Sequence, residues 1–256
     1  MIKYELKFPF HSNPPNTLVQ SVPQPNRTDS LIELCIFNDH RYAFYFWNYI
    51  KNKNQYNCDL LTFDWHQDLF DPSPGLKEEL SNIDLQKDDE VAYFSWARLN
   101  PNNDDHILSA LYLDLFKDIW VVCKQGEDSQ EEVYKDFQGK NHTIRKFKCY
   151  RDSIERLKIV SIDNVIMDID VDYFTIENNT SNDRQHFTYE KRNYVEEIFL
   201  LKSDLIEWIL PKLAGITIAL EPDCTGGISK SYEYLSILES LWFENYIGRY
   251  GVKWKR

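Results

Sequence analysis

The feature that most constrains how this chain can fold is a recurrence. Short apolar runs of strand length alternate with stretches of helical spacing. Such runs lie at 31–37 (LIELCIF), 58–63 (CDLLTF), 90–97 (EVAYFSWA), 118–123 (DIWVVC), 164–174 (NVIMDIDVDYF) and 215–220 (GITIAL). Apolar runs this short, bounded by polar turns, read as strands covered on both faces. Helical patterns fall between them, at 41–52, 74–82, 104–116, 151–157, 189–210 and 228–246. Strands joined through helices form right-handed βαβ units, so the expectation is an α/β fold. Its architecture would be a three-layer αβα sandwich around a mainly parallel sheet. With 256 residues, the chain can bury one large core, and we read 1–256 as a single domain.

The remaining segments are read as accessory. Residues 2–8 alternate well enough for a short strand, and the Pro- and Asn-rich stretch 9–30 reads as a long loop. Residues 125–142 are charged and read as an exposed connection, followed by a strand at 143–149. The polar segment 177–184 has the composition of a mobile loop. Tyr194, Ile198, Leu201, Leu205 and Ile209 share one helical face in 189–210, which Pro211 would stop.

Composition excludes several classes of function. A net charge of −12 argues against a nucleic-acid partner, which needs a basic face. Apolar content of 43% and aromatic content of 15% argue for a packed core and against disorder. No stretch approaches the roughly 20 apolar residues of a membrane span, and the N-terminus has no signal-like apolar region. The expectation is a cytoplasmic protein without a membrane partner. The five cysteines are scattered and form no CxxC pair, which reads as reduced thiols. Cys224 lies close to one of the strand ends considered next. Neither GxGxxG nor GxxxxGK occurs, so no nucleotide cradle is expected.

The chemistry concentrates at the carboxyl ends of the strands, where open α/β sheets collect ligands. These ends carry Asp39-His40, then Asp64, His66 and Asp68, then Asp168, Asp170 and Asp172, and finally Glu221 and Asp223. In extended chain Asp64, His66 and Asp68 would point to one face. One such end is an ordinary polar turn. Four on one rim would repel one another unless a cation neutralised them. Carboxylates and imidazoles are suited to a divalent metal, and so many candidate ligands suggest two ions.

The order N-D-H, then D-x-H-x-D, then D-x-D, then a closing Glu resembles the arginase/deacetylase superfamily. The resemblance runs from about Leu31 to Gly227. It is carried by D-W-H-Q-D and D-V-D-Y-F, while Phe37-Asn38 replaces the two glycines of the family's G-G-D-H. The forms FNDHRYAF and DIDVDYF look closest to a divergent branch that includes enzymes converting peptide-borne arginine to ornithine. The family's Asp-Pro after D-x-D is absent, Thr175-Ile176 following instead.

The resemblance implies an arginase-like fold and two manganese ions held by His40, Asp64, His66, Asp68, Asp170 and Asp172. Asp168/Asp170 is the alternative register to Asp170/Asp172. We prefer the latter, which leaves Asp168 deeper and behind the ligands. It further implies hydrolysis of an arginine guanidinium to ornithine and urea by a hydroxide shared between the metals. The substrate would be an arginine-containing peptide or a small guanidino compound. Asp68 would also pass a proton to the leaving amine, and Glu221, with Asp223 beside it, would pair with the guanidinium. The family's mobile histidine has no counterpart at its usual distance, and His106 is the candidate second proton donor, a local helix-start role being the alternative. His186 is a weaker candidate, and His11 and His142 read as surface histidines. Asp104 and Asp105 read as helix N-caps, and Trp65, Trp96 and Tyr173 as aromatics able to flank a peptide. Rival readings are a zinc deacetylase of the same superfamily and a non-catalytic binder of basic peptides.

Overall fold

A computed structural model describes residues 13–25, 27–55, 57–125, 130–178, 186–249 and 251–255. Strands β1 (Leu18–Gln24) and β2 (Arg27–Phe37) pair antiparallel, with Leu18 opposite Ile36. The expected loop over 9–30 is therefore corrected, because most of its second half is strand. Pro23 hides the strand in sequence, yet β1 lies at the sheet edge, where a residue lacking an N–H is tolerated. The expected strand at 2–8 and His11 fall outside the described residues.

Strands β3 (Asp59–Asp64), β4 (Ile119–Cys123), β5 (Gln130–Lys135), β6 (Asn141–Phe147), β7 (Val165–Asp170) and β10 (Leu213–Ala219) complete the eight-stranded sheet. Its order is β1-β2-β10-β7-β3-β4-β6-β5. From β2 to β6 every neighbouring pair is parallel, and β1 and β5 close the edges antiparallel. Strand β5 corrects the expected connection at 125–142. Its sequence, QEEVYK, carries the charge of an exposed edge, so hydrophobicity does not reveal it. A separate hairpin joins β8 (Thr175–Asn178) and β9 (His186–Tyr189), replacing part of the loop expected at 177–184.

Helices flank the sheet on both faces, compatible with the expected layered sandwich. On one face Cys35, Phe37, Leu60, Ile119 and Val121 pack against α1 (Ala43–Asn54), α2 (Pro74–Asn82), α3 (Asp88–Ala97) and α4 (His106–Tyr112). On the other, Leu34, Ile36, Leu61, Phe63, Trp120 and Val122 pack against α5 (Tyr150–Ile159), α6 (Arg192–Phe199), α7 (Asp204–Ile209) and α8 (Ile228–Trp242). The alternation along β2, β3 and β4 sends successive apolar side chains to opposite cores.

Two helical readings change. The run 90–97 is not a strand but most of α3. Asp88, Asp89 and Glu90 fill its first turn, where carboxylates favour the helix dipole, and Val91, Phe94 and Ser95 share its buried face. The long helix expected at 189–210 is two helices. Leu200 turns extended, and the Ser203 hydroxyl caps α7 by accepting from Ile206 N at 3.3 Å. The core face still holds, with Ile198, Leu205 and Ile209 buried and Tyr194 and Leu201 packed beside them. Among the described residues, no helix is long and apolar enough to cross a membrane.

At the opposite end of β3 from the acidic rim, buried Asp59 accepts a hydrogen bond from Trp120 Nε1 at 3.0 Å. Burial raises its pKa from 3.8 to about 6. The folded protein thus keeps a proton that the unfolded chain loses between those values, so stability falls as pH rises through that window. Asp59→Asn retains an acceptor for Trp120 and removes this penalty. It should leave Tm unchanged near pH 4 and raise it by about 3–6 °C at pH 7. Parallel thermal melts of both proteins across this range check the difference.

Candidate metal centre

Strands β2, β10, β7 and β3 are consecutive in the sheet, and their carboxyl ends carry the expected acidic groups. The side chains converge through turns, not by alternation along extended chain. β3 stops at Asp64, and the His66 backbone N–H folds back to Asp64 Oδ1 at 2.6 Å. Asp68 is then reached through a left-handed backbone, φ 51°. β7 likewise stops at Asp170, whose Oδ1 accepts from Asp172 N at 3.0 Å as residues 171–174 form a 3-10 turn. A single continuous strand over 164–174 is thereby corrected.

His40 opens a 3-10 turn directly after β2 and is fully buried. Its Nδ1 lies 3.2 Å from Asp64 Oδ2, 3.1 Å from Asp68 Oδ2 and 3.3 Å from Asp170 Oδ2. Its Nε2 lies 2.8 Å from Asp168 Oδ2. Asp168 is held from behind, accepting from Thr62 Oγ1 at 2.8 Å and Thr217 Oγ1 at 2.5 Å. Trp47 Nε1 in turn donates to Thr217 Oγ1 at 3.1 Å. With its oxygens engaged by hydroxyl donors, Asp168 acts as an acceptor for an Nε2–H. That tautomer leaves Nδ1 facing the acidic cluster, the second-sphere arrangement of a metal-binding histidine. Asp168 thus sits behind His40, while Asp170 and Asp172 face the cluster.

His66 Nδ1 approaches Asp172 Oδ2 at 3.0 Å, and Asp172 Oδ1 accepts from Trp65 N at 3.0 Å. Glu221 adopts φ 32° and accepts from His40 N at 3.1 Å and from Asn103 Nδ2. Donor atoms within 4.8 Å of one another group as Asp64/His66/Asp172, His40/Asp170/Glu221 and His40/Asp68/His106. The expected ligand set and Glu221 therefore come together at one rim. Asp223 does not join them and is exposed in the following turn.

His106 begins α4, fully buried, its ring centroid 4.3 Å from that of His40 and 5.5 Å from that of Trp47. Neither of its nitrogens has a hydrogen-bond partner. Asp105 occupies the N-cap position but makes no cap. Its carboxylate accepts from Asn100 N at 3.0 Å instead. His142 is buried, not a surface residue, held by Lys117 O at 2.8 Å and Asp136 at 3.3 Å. Tyr173 is also buried, whereas Trp65 is partly and Trp96 largely exposed.

The electrostatics call for positive charge. Burial raises the pKa of Asp68 well above normal, aided by Asp64, and that of Asp170, aided by Asp172 and Glu221. Burial with the charge of Asp64 lifts Asp172 to about 6, and burial lifts Glu221 to about 7. Burial opposes charge on His66, but Asp172, Asp64 and Asp68 outweigh it and raise its pKa to about 9. The same contest raises His40, whereas burial followed by the charge of His40 lowers His106. Asp64 Oδ2 and Asp172 Oδ2 are buried without a hydrogen-bond partner. Crowded carboxylates with unspent oxygens fit divalent cations.

The sequence reading missed Asn103, Thr62 and Thr217. A threonine inside an apolar run, as in LLTFD and GITIA, is a usable signal, because a buried hydroxyl needs an acceptor. Asn103, at φ 59°, sits in a loop whose composition says nothing of Glu221.

A scan against protein-family models finds no match, and a search of curated protein sequences finds none either.

Manganese should raise Tm of the wild-type protein, and Asp64→Asn should abolish that shift. Asp168→Asn, which disturbs the His40 tautomer and removes no ligand from the cluster, should weaken manganese binding about 10–100-fold by calorimetry.

Proposed function

We propose that this protein is a binuclear, manganese-dependent hydrolase with an arginase-like fold, acting on the guanidinium group of arginine carried in a peptide. The products are ornithine and urea. One observation carries the reading. His40, Asp64, His66, Asp68, Asp170 and Asp172 meet at one rim, where buried oxygens of Asp64 and Asp172 face imidazole nitrogens without accepting a hydrogen bond and Glu221 lies beside them. The likeness of these motifs to the arginase branch and the parallel sheet that presents them support it further.

Two divalent ions bound by these residues would supply a water acidified toward neutral pH. The chain's own groups account for the rest. Glu221 is the natural partner of a planar cation, and hydrogen bonds from His40 N and Asn103 anchor its Oε1. Its raised pKa marks a site that gains by receiving positive charge. Asp68, beside His40 and at the rim, takes the proton of the attacking water and gives it to the leaving ornithine amine. His106, its ring centroid 4.3 Å from that of His40 and both nitrogens free of hydrogen bonds, is the second proton carrier in this reading. A peptide substrate agrees with the acidic surface, since a net charge of −12 draws basic chains.

Manganese-loaded protein incubated with arginine peptides should release urea and lighten the peptide by about 42 Da, the mass of CN2H2. Metal analysis should find two manganese ions per chain. Glu221→Gln should lower kcat/KM at least about 100-fold through loss of the charged partner. Absence of urea from both peptidyl and free arginine would end this reading, and one tightly held zinc per chain would point to deacetylase chemistry.

A further inference from the structure

Lys124 directly follows β4, the strand beside β3, and so stands at the same rim as the acids. It belongs neither to the candidate ligands nor to the groups given a part in catalysis. Its side chain is only 15% exposed, a rare position for an ammonium, and the ammonium lies 2.9 Å from Glu190 Oε1. Three rings surround it, with centroids at 5.8 Å for Trp65, 5.0 Å for Tyr173 and 5.3 Å for Tyr194. Burial lowers its pKa against the pull of Glu190 and Asp172, so the cation is kept here at a cost.

Its partners are tied to the turns that carry the candidate ligands. Trp65 lies between Asp64 and His66, and Tyr173 follows Asp172. Trp65 N donates to Asp172 Oδ1 at 3.0 Å, and Trp65 O accepts from Gln125 N at 3.1 Å. Glu190 N donates to Phe174 O at 2.8 Å, and Tyr234 Oη donates to Glu190 O at 3.0 Å. Lys124 therefore stands where the turn after β3, the turn after β7 and the chain entering α6 meet. An exposed ion pair would hold these segments weakly. A desolvated cation facing three rings and a carboxylate fixes them, because moving any partner leaves the charge uncompensated.

Asp64, His66 and Asp172 ride on the two clasped turns, with His66 Nδ1 3.0 Å from Asp172 Oδ2 and 3.8 Å from Asp64 Oδ1. His40, Asp170 and Glu221 form another group and are joined differently. Glu221 accepts from His40 N, and Asp168 links the His40 ring to Thr217.

We propose that Lys124 is a positioning residue that holds the Asp64/His66/Asp172 group in register for a divalent ion, acting through Trp65 and Tyr173. As a protonated amine it has no lone pair and cannot itself ligate the ion. Without its charge the two turns separate. The ion of this group is then bound weakly, while that of the His40/Asp170/Glu221 group is kept. The proposal rests on the two-manganese reading of the rim and not on the identity of the substrate.

Manganese binding to the full-length, metal-free protein tests it, by titration calorimetry and by electron paramagnetic resonance, which separates a spin-coupled pair from a single ion. Wild type should bind two manganese ions and show the coupled spectrum. Lys124→Met keeps the length of the side chain and removes its charge. It should bind one ion as wild type does and the other at least about tenfold more weakly. At the concentration that saturates wild type it should show the single-ion spectrum. Lys124→Arg, which keeps a cation able to face rings and carboxylate, should recover the coupled spectrum. Each variant is first shown to melt cooperatively without metal. Should Lys124→Met not fold, Glu190→Gln removes the paired carboxylate instead and should weaken the same single ion. Equal weakening of both ions, or no recovery in Lys124→Arg, would overturn the proposal. Two ions in wild type with no loss in the variants would refute the proposal alone. A wild type that binds fewer than two ions would refute the two-metal reading and this proposal with it.

Discussion

Carboxylates gathered out of water repel one another and lose their hydration, and the upper rim of this sheet is built around that cost. The fold meets it in two different ways. Asp168 is satisfied entirely from within, by Thr62, Thr217 and the His40 ring. Asp64 and Asp172 are not, and each keeps a buried oxygen with no hydrogen bond. The first arrangement is that of a support, the second that of a site awaiting charge. The distinction separates Asp168 from Asp172, residues of identical chemistry four positions apart.

Half of the six described non-glycine residues with positive φ, namely Asp68, Asn103 and Glu221, lie at this rim, in a conformation that costs energy and persists where surrounding contacts enforce it. Glu221 binds back to His40 and Asn103, so two strained residues brace one another across the site. Lys124 adds a further clamp. Its ammonium lies 2.9 Å from Glu190 and within 5.8 Å of the Trp65, Tyr173 and Tyr194 rings, joining the turns after β3 and β7 to α6.

Much of this was legible in the sequence, for identifiable reasons. The central strands announced themselves because they are buried on both faces and hence continuously apolar. The edge strands did not, since β1 carries Pro23 and β5 is mostly polar. The run EVAYFSWA misled because a short apolar segment fits both periods, and only the acids at 88–90 favour a helix. At the site, the residue types and their order were readable, but the geometry was not. Turns after Asp64 and Asp170, not strand alternation, bring the groups together. Asn103 was invisible because Glu221 is distant in sequence, while Thr62 and Thr217 signal only that a buried hydroxyl needs an acceptor, not that Asp168 is the one.

The order of strands has one more implication. β10 lies between β2 and β7, although it follows both by many residues. Until it inserts, His40 has neither Glu221 nor the Thr217-braced form of Asp168 beside it. A chain growing from its N-terminus therefore carries most of the candidate ligands for some time before the rim that gathers them is complete. Such long-range closure is slow, since distant segments must meet before their contacts stabilise them. Metal capture at this rim would thus mark the completion of folding, and the unpaired edges of β2 and β7 are where an unfinished molecule is most open to a wrong partner.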